Sequence, residues 1–193
     1  INDANSIAIV PVTQNVGCLS SHSIQEIGGD LVFLSPDGIR SVAGTSRIGD
    51  VELGSVSRQI QSIVSNIANA VNTFTITSAV LRSKSQYRLF YTVLNGSTAS
   101  ARGIIGTLTA NGFEWSETLG IQATGFASGF AATGIEKLYH GDNEGYIYNH
   151  NEGNSFSSAG TLLDITAQYQ TPHYDFGDVG TRKTMHYVKL SVT

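Results

Sequence analysis

The chain has 193 residues, 40% of them hydrophobic and only 13% charged, with a formal net charge of −4. That charged share is about half the usual one; with Ser, Thr, Gly and Asn in its place, a buried core is possible and a disordered tail is not expected. The acidic balance lacks the basic face of a protein that grips phosphates, and no apolar run approaches the roughly 18–20 residues that span a bilayer, so neither sequence-independent nucleic-acid binding nor membrane insertion is expected.

Residues 1–23 read as a lead-in continuing from a preceding domain. Ile1-Asn2-Asp3-Ala4-Asn5 has no basic n-region, so no signal peptide is visible; Ile1 is not a start methionine, so the chain reads as processed or, in preference, as an excerpt of a longer polypeptide. Cys18 is the single cysteine. No intramolecular disulfide is therefore available, which fits manufacture in a reducing cytoplasm. A nucleophile or metal ligand would need a partner nearby in sequence; with none, Cys18 reads as a small buried apolar residue.

Residues 24–170 carry a recurring strand–turn–strand pattern. In the first unit, Gly29–Leu34 runs into Ser35-Pro36-Asp37-Gly38 and returns as Ile39–Val42. Pro presets φ and Gly accepts φ > 0, so Pro-Asp-Gly between apolar runs predicts a turn. From Arg58 to Val71 the period changes from two to about 3.6, with Ile60, Ile63, Val64, Ile67 and Val71 on one stripe. One amphipathic helix is expected at about 57–72, with Ser57 as its N-cap. It either packs on a sheet edge or contacts a neighbouring subunit. β-like residues resume at Phe74–Thr77.

The second unit runs Tyr87–Leu94, Asn95-Gly96, then Ala101–Ile105. A further hairpin joins Ile105–Ala110 to Phe113–Trp115 through Asn111-Gly112. Asn-Gly between alternating apolar residues is the strongest short-range hairpin signal. The third unit is Ile135–His140, Gly141–Gly145 and Tyr146–Asn149. Phe33, Phe90 and Tyr139 are equivalent in this alignment, 57 and 49 residues apart. Propeller repeats run about 40–50 residues, so the helix is the insertion that lengthens the first interval. Three such units do not close a propeller, whose minimum is about four blades. The expected fold is all-β, a partial set of propeller-type blades with one inserted helix, and residues 171–193 read as an exit strand toward a further domain.

Reactive constellations are sparse. Asp142, Asn143 and Glu144 offer hard oxygens for calcium, but consecutive ligands suit a Gly-capped hairpin turn better than a binding loop. His140, His150, His173 and His186 lack zinc-site spacing and read as surface or strand-facing histidines. Gly125–Gly129 places Ser128 wrongly for a nucleophile elbow. Glu114, Glu117, Asp142 and Glu144 are carboxylates that a glycosidase would have to pair in a cleft. Arg82, Lys84 and Arg88 flank a strand start, where they either touch phosphate or surface polysaccharide or keep an exposed strand from pairing with other chains. Trp115, Tyr139, Tyr146 and Tyr148 either stack on sugars or pack between sheets. Asn95-Gly96-Ser97 matches the glycosylation triplet but reads as a turn.

Ile24–Ser35 followed by Gly38–Ser41, the preceding Val16–Ser23, and the exit segment Tyr174–Gly177 with Arg182-Lys183 resemble the tail nozzle and hub proteins of short-tailed bacteriophages. The resemblance implies a β-propeller attached to a platform domain, assembled in the host cytoplasm into a virion tail ring, often a hexamer. Such a ring lies below the portal and adaptor, touches tail fibres or spikes, and lets genome DNA pass without specific binding. It carries over no catalytic residue, cofactor or metal, so an enzyme is not expected. The alternative is a propeller that recognises a surface glycan or receptor. The two differ in where the aromatics gather: between sheets, or in one pocket with carboxylates or arginines.

Overall fold

The computed structural model describes residues 16–43, 55–93, 101–158 and 161–170, with single positions at 177, 180, 182, 184 and 189. The expected exit strand, His173 and His186, and the Asn95-Gly96-Ser97 turn lie outside the described residues. Strands dominate, and all their pairings are antiparallel. β1 (Gln25–Ile27), β2 (Asp30–Ser35) and β3 (Gly38–Ser41) form one sheet. β4 (Phe74–Leu81), β5 (Gln86–Val93), β6 (Arg102–Thr109) and β7 (Gly112–Leu119) form a second. β8 (Gly125–Phe130), β9 (Glu136–Gly141) and β10 (Ile147–Asn149) form a third. β11 (Ser155–Ser158) pairs with β12 (Thr161–Asp164). In each sheet, strands adjacent in sequence are adjacent in space.

Local turn chemistry explains the hairpins. Ser35 pairs with Gly38, leaving Pro36-Asp37 as the loop, and the Ser35 hydroxyl donates to Asp37 Oδ1 at 2.6 Å. The Asn111-Gly112 signal marks its hairpin one residue late. Thr109 pairs with Gly112, so Ala110-Asn111 is the turn's centre. Gly112 takes the positive φ of 108° as β7 opens, a conformation in which a Cβ is unfavourable.

The inserted helix is present but shorter than expected. α1 covers Gln61–Asn69, with 3-10 turns over Arg58–Ile60 and Val71–Thr73. Ser57 does not cap it. Its hydroxyl is buried and accepts the Ile39 N–H at 2.9 Å instead, tying the helix entry to β3. Val64 and Ile67 are buried, and Ile60, Ile63 and Val71 pack beside them. The predicted stripe therefore faces the core.

That core joins Ile27, Val32, Leu34 and Ile39 of the first sheet to Val64 and Ile67 of α1. Ile76, Val80, Tyr87, Leu89, Tyr91 and Ile104 of the second sheet complete it. Each such side chain stabilises the fold by about 1.5–3 kcal/mol when fully buried. The opposite face of β4 and β5 is buried too. Ala79 and Leu81 of β4 pack with Leu138 of β9 and Phe126 of β8, and Phe90 of β5 stacks on Phe126 at 4.6 Å. Alternate residues on β4 and β5 thus serve two interfaces, and the second sheet lies between the first sheet and the third.

Phe33, Phe90 and Tyr139 each lie on the second strand of their sheet, β2, β5 and β9. Their facing differs: Phe90 is fully buried whereas Tyr139 is exposed, because Leu138 and His140 are the residues that β9 turns inward. Among the described residues no helix is long and apolar enough to cross a membrane.

Candidate functional site

A cleft of about 520 Å³ opens where the second sheet meets the β9–β10 hairpin. Arg88 and Ile105 come from the second sheet; His140, Tyr148, Asn149, His150 and Asn151 come from the hairpin and the turn that follows it. On β5, period-two alternation sends Tyr87 and Leu89 into the main core and Arg88 with Phe90 to the other face. Arg88 is only 5% exposed. It sits on an inner strand, between β4 and β6, so it does not guard an exposed strand as the sequence suggested.

The rest of that basic group disperses. Arg82 meets Glu26 at 3.4 Å, the Arg82 and Ser83 amides donate to Glu136, and Lys84 is exposed.

Arg88 is held by neutral acceptors. Its Nε and Nη2 donate to Gln86 Oε1 at 3.2 and 2.6 Å. Nη2 also donates to Asn151 Oδ1 at 3.2 Å, and Nη1 faces His150 Nδ1 at 3.5 Å. Burial works against its charge and pulls its pKa down. Even so, a guanidinium only donates, which assigns the neighbouring tautomers. His150 Nδ1 must be the acceptor, so His150 Nε2 carries the proton and donates to His140 Nδ1 across 2.6 Å. His140 then carries its own proton on Nε2. Burial is the main reason both imidazoles stay neutral, pulling His140 down to about 4 and His150 to about 3. The adjacent His140 and Arg88 add to the shift at His150. Aromatic rings fix the pair: His140 stacks on Tyr148 at 4.9 Å, and His150 contacts Phe126 at 5.0 Å.

The Asp142–Gly145 turn is built by one carboxylate. Asp142 Oδ1 accepts the Glu144 and Tyr146 amides at 2.9 Å each, and its Oδ2 accepts the Tyr148 hydroxyl at 3.1 Å. These bonds make Asp142 the brace of the hairpin turn. Among the described residues no group of three His, Cys, Asp or Glu side chains is gathered as a metal site. Of the four candidate carboxylates, Asp142 and Glu144 line the cleft. Glu117 meets Arg102 at 3.6 Å on the second sheet, and Glu114 lies on β7 opposite Thr107. Ser128 is in mid-strand on β8, opposite Leu138.

The aromatics divide. Trp115 packs against the main core, edge-on to Tyr87 at 6.5 Å, and donates its indole N–H to Val56 O at 2.8 Å. Tyr148 lines the cleft, while Tyr139 and Tyr146 are exposed. Cys18, expected inside, is exposed, its thiol donating to Ser20 O at 3.0 Å. Buried Ser23 takes the inward place, its hydroxyl accepting the Leu34 amide at 3.0 Å.

Sequence reasoning missed Gln86, Asn149 and Asn151. A signal existed in the polar run Asn149-His150-Asn151-Glu152-Gly153, where Asn151 adopts a positive φ of 60°, but nothing in that run indicates Arg88. No protein-family model, curated protein or solved structure matches the chain.

Proposed function

We propose that the chain is a structural module of a bacteriophage tail, a run of propeller-type blades in the nozzle or hub ring. The observation that carries the reading is the second sheet, whose strands β4 and β5 are buried on both faces between the first and third. Antiparallel meanders of consecutive strands, stacked face to face, are how propeller blades are built. A mechanical role in an assembly also suits the apolar residues left bare toward the chain's second half. Phe130, Ile147, Leu162 and Tyr169 are 65, 77, 72 and 88% exposed, apolar surface that a partner could cover. In the proposed tail these are covered by neighbouring copies of a ring, of hexameric symmetry, or by portal, adaptor, fibre or spike proteins. Genome DNA passes through without specific binding, and no catalytic step is involved.

Imaging of purified particles by electron cryo-microscopy tests this reading. The expected result is this chain's density in a symmetric ring on the tail. Its absence from particles, or a monomeric chain in solution with no affinity for tail components, would overturn it.

The cleft favours a second reading, a module that recognises a receptor glycan on the host surface. Arg88 and Tyr148 meet in one concave site, the arrangement expected of a small-ligand pocket with a few oriented polar groups.

A further inference from the structure

We infer that the cleft is an anion subsite that takes a carboxylate-bearing sugar, such as a uronic acid residue, with the carboxylate seated on Arg88. The inference rests on the glycan-binding reading and narrows it to acidic saccharides. Its starting point is an imbalance. Arg88 is almost fully buried, lines an open cleft, and among the described residues meets only the amide oxygens of Gln86 and Asn151 and an imidazole nitrogen. Among the described residues no carboxylate pairs with it. A buried cation without a counter-ion is costly. A ligand carboxylate entering the cleft supplies one.

The surroundings select the rest of the ligand. Asn149 lines the same cleft, and its Oδ1 is buried without a hydrogen-bond partner, so it suits a hydroxyl donor. Tyr148 lines it as well and adds aromatic surface for a pyranose. The other acidic groups nearby are engaged or at the mouth: Asp142 is held by its turn and Tyr148, and Glu152 pairs with Lys137. With Glu144, they disfavour polyanions such as phosphate chains more strongly than one carboxylate bound directly to a guanidinium.

Asn151→Asp provides the decisive test, because it keeps the shape of the side chain and its contact with Arg88 Nη2. Asp also tolerates the positive φ found there. The substitution gives Arg88 an internal counter-ion, so the fold is kept and the anion loses its place. Backbone amide chemical shifts of the full chain would be followed on adding glucuronate, glucose or acetate. Glucuronate is expected to shift residues around 88 and 148–151 with a dissociation constant of about 1 mM. Glucose and acetate should bind at least ~10-fold more weakly, and Asn151→Asp should weaken glucuronate by ~10-fold or more.

Equal binding of glucose and glucuronate, unaffected by Asn151→Asp, would overturn the acidic-sugar inference and leave the glycan reading standing. Equal binding of acetate and glucuronate would overturn the saccharide class. Absence of shifts with any sugar, neutral or acidic, would remove both readings.

Discussion

The hydroxyl of Tyr87 donates to the carbonyl of Ser23 at 2.8 Å, across 64 residues of chain. Tyr87 is wholly buried on β5, and burial pushes its phenol far above the ordinary value. Ser23, also buried, holds the Leu34 amide with its own hydroxyl. The pair bolts the segment before β1 to the middle sheet. Tyr87→Phe leaves the Ser23 carbonyl in an apolar site without that partner. A loss of about 1–2 kcal/mol is expected, read as a lower urea midpoint at unchanged slope.

The Pro36-Asp37 turn carries an ion pair between a buried Arg40 and a half-buried Asp37. Arg40 is fully buried and bonds Asp37 through Nε at 2.9 Å and through Nη2. The Arg40 hydrogen bond is the largest influence holding the Asp37 carboxyl below its usual range. Removing the carboxylate with Asp37→Ala leaves buried Arg40, whose Nη1 already has no partner, without its counter-ion; with Asp37 itself half-exposed, the loss in urea unfolding should be about 1–3 kcal/mol. The sign with pH follows: because the folded pKa is depressed, this stabilisation is present above the unfolded value of 3.8 and is lost as pH falls through the folded one.

Gly106 lies under Trp115. A Cβ there would meet the indole at 2.6 and 2.7 Å and Phe113 at 3.0 Å. Gly106→Ala must therefore displace the ring that bonds Val56 O. A loss of about 1–3 kcal/mol is expected. Trp115 is the sole tryptophan, so its emission spectrum should shift in the folded state, and an unchanged spectrum would refute the packing.

The two imidazoles of the cleft make the protein acid-labile. Their folded values, about 4 for His140 and about 3 for His150, lie below the ordinary 6.5. The unfolded chain thus binds more protons between those limits. Stability is complete above about pH 6.5 and falls as pH drops toward 4 and then 3, by on the order of 2–4 kcal/mol at pH 5. Histidine titration followed by NMR checks it directly: two rings should remain neutral at pH 5.

Legibility in the sequence followed the distance over which information acts. Pro36-Asp37-Gly38 and Asn111-Gly112 are local instructions, and both hairpins lie where those residues put them, the second offset by one position. The Ile60–Val71 stripe likewise revealed both the helix and the side it buries. β8 escaped notice because Gly125–Phe130 is rich in small residues and has no strong alternation. The cleft escaped because its chemistry depends on Arg88 meeting His150 and Asn151, 62 and 63 residues further along the chain. No local pattern announces that a basic residue at a strand start will end between two sheets. Ser57 shows the same limit: it has the right chemistry for a helix cap, but the nearby Ile39 amide claims it.

Because among the described residues no sheet recruits a strand from elsewhere in the chain, each can close as soon as its last strand leaves the ribosome, with little loop entropy to overcome. The middle sheet completes at Leu119, yet its second face gains its cover only when β8 and β9 emerge. For that stretch of synthesis Phe90 and Leu81 stay wet on a finished sheet, making it the interval in which the nascent chain is most prone to aggregate and most in need of a chaperone.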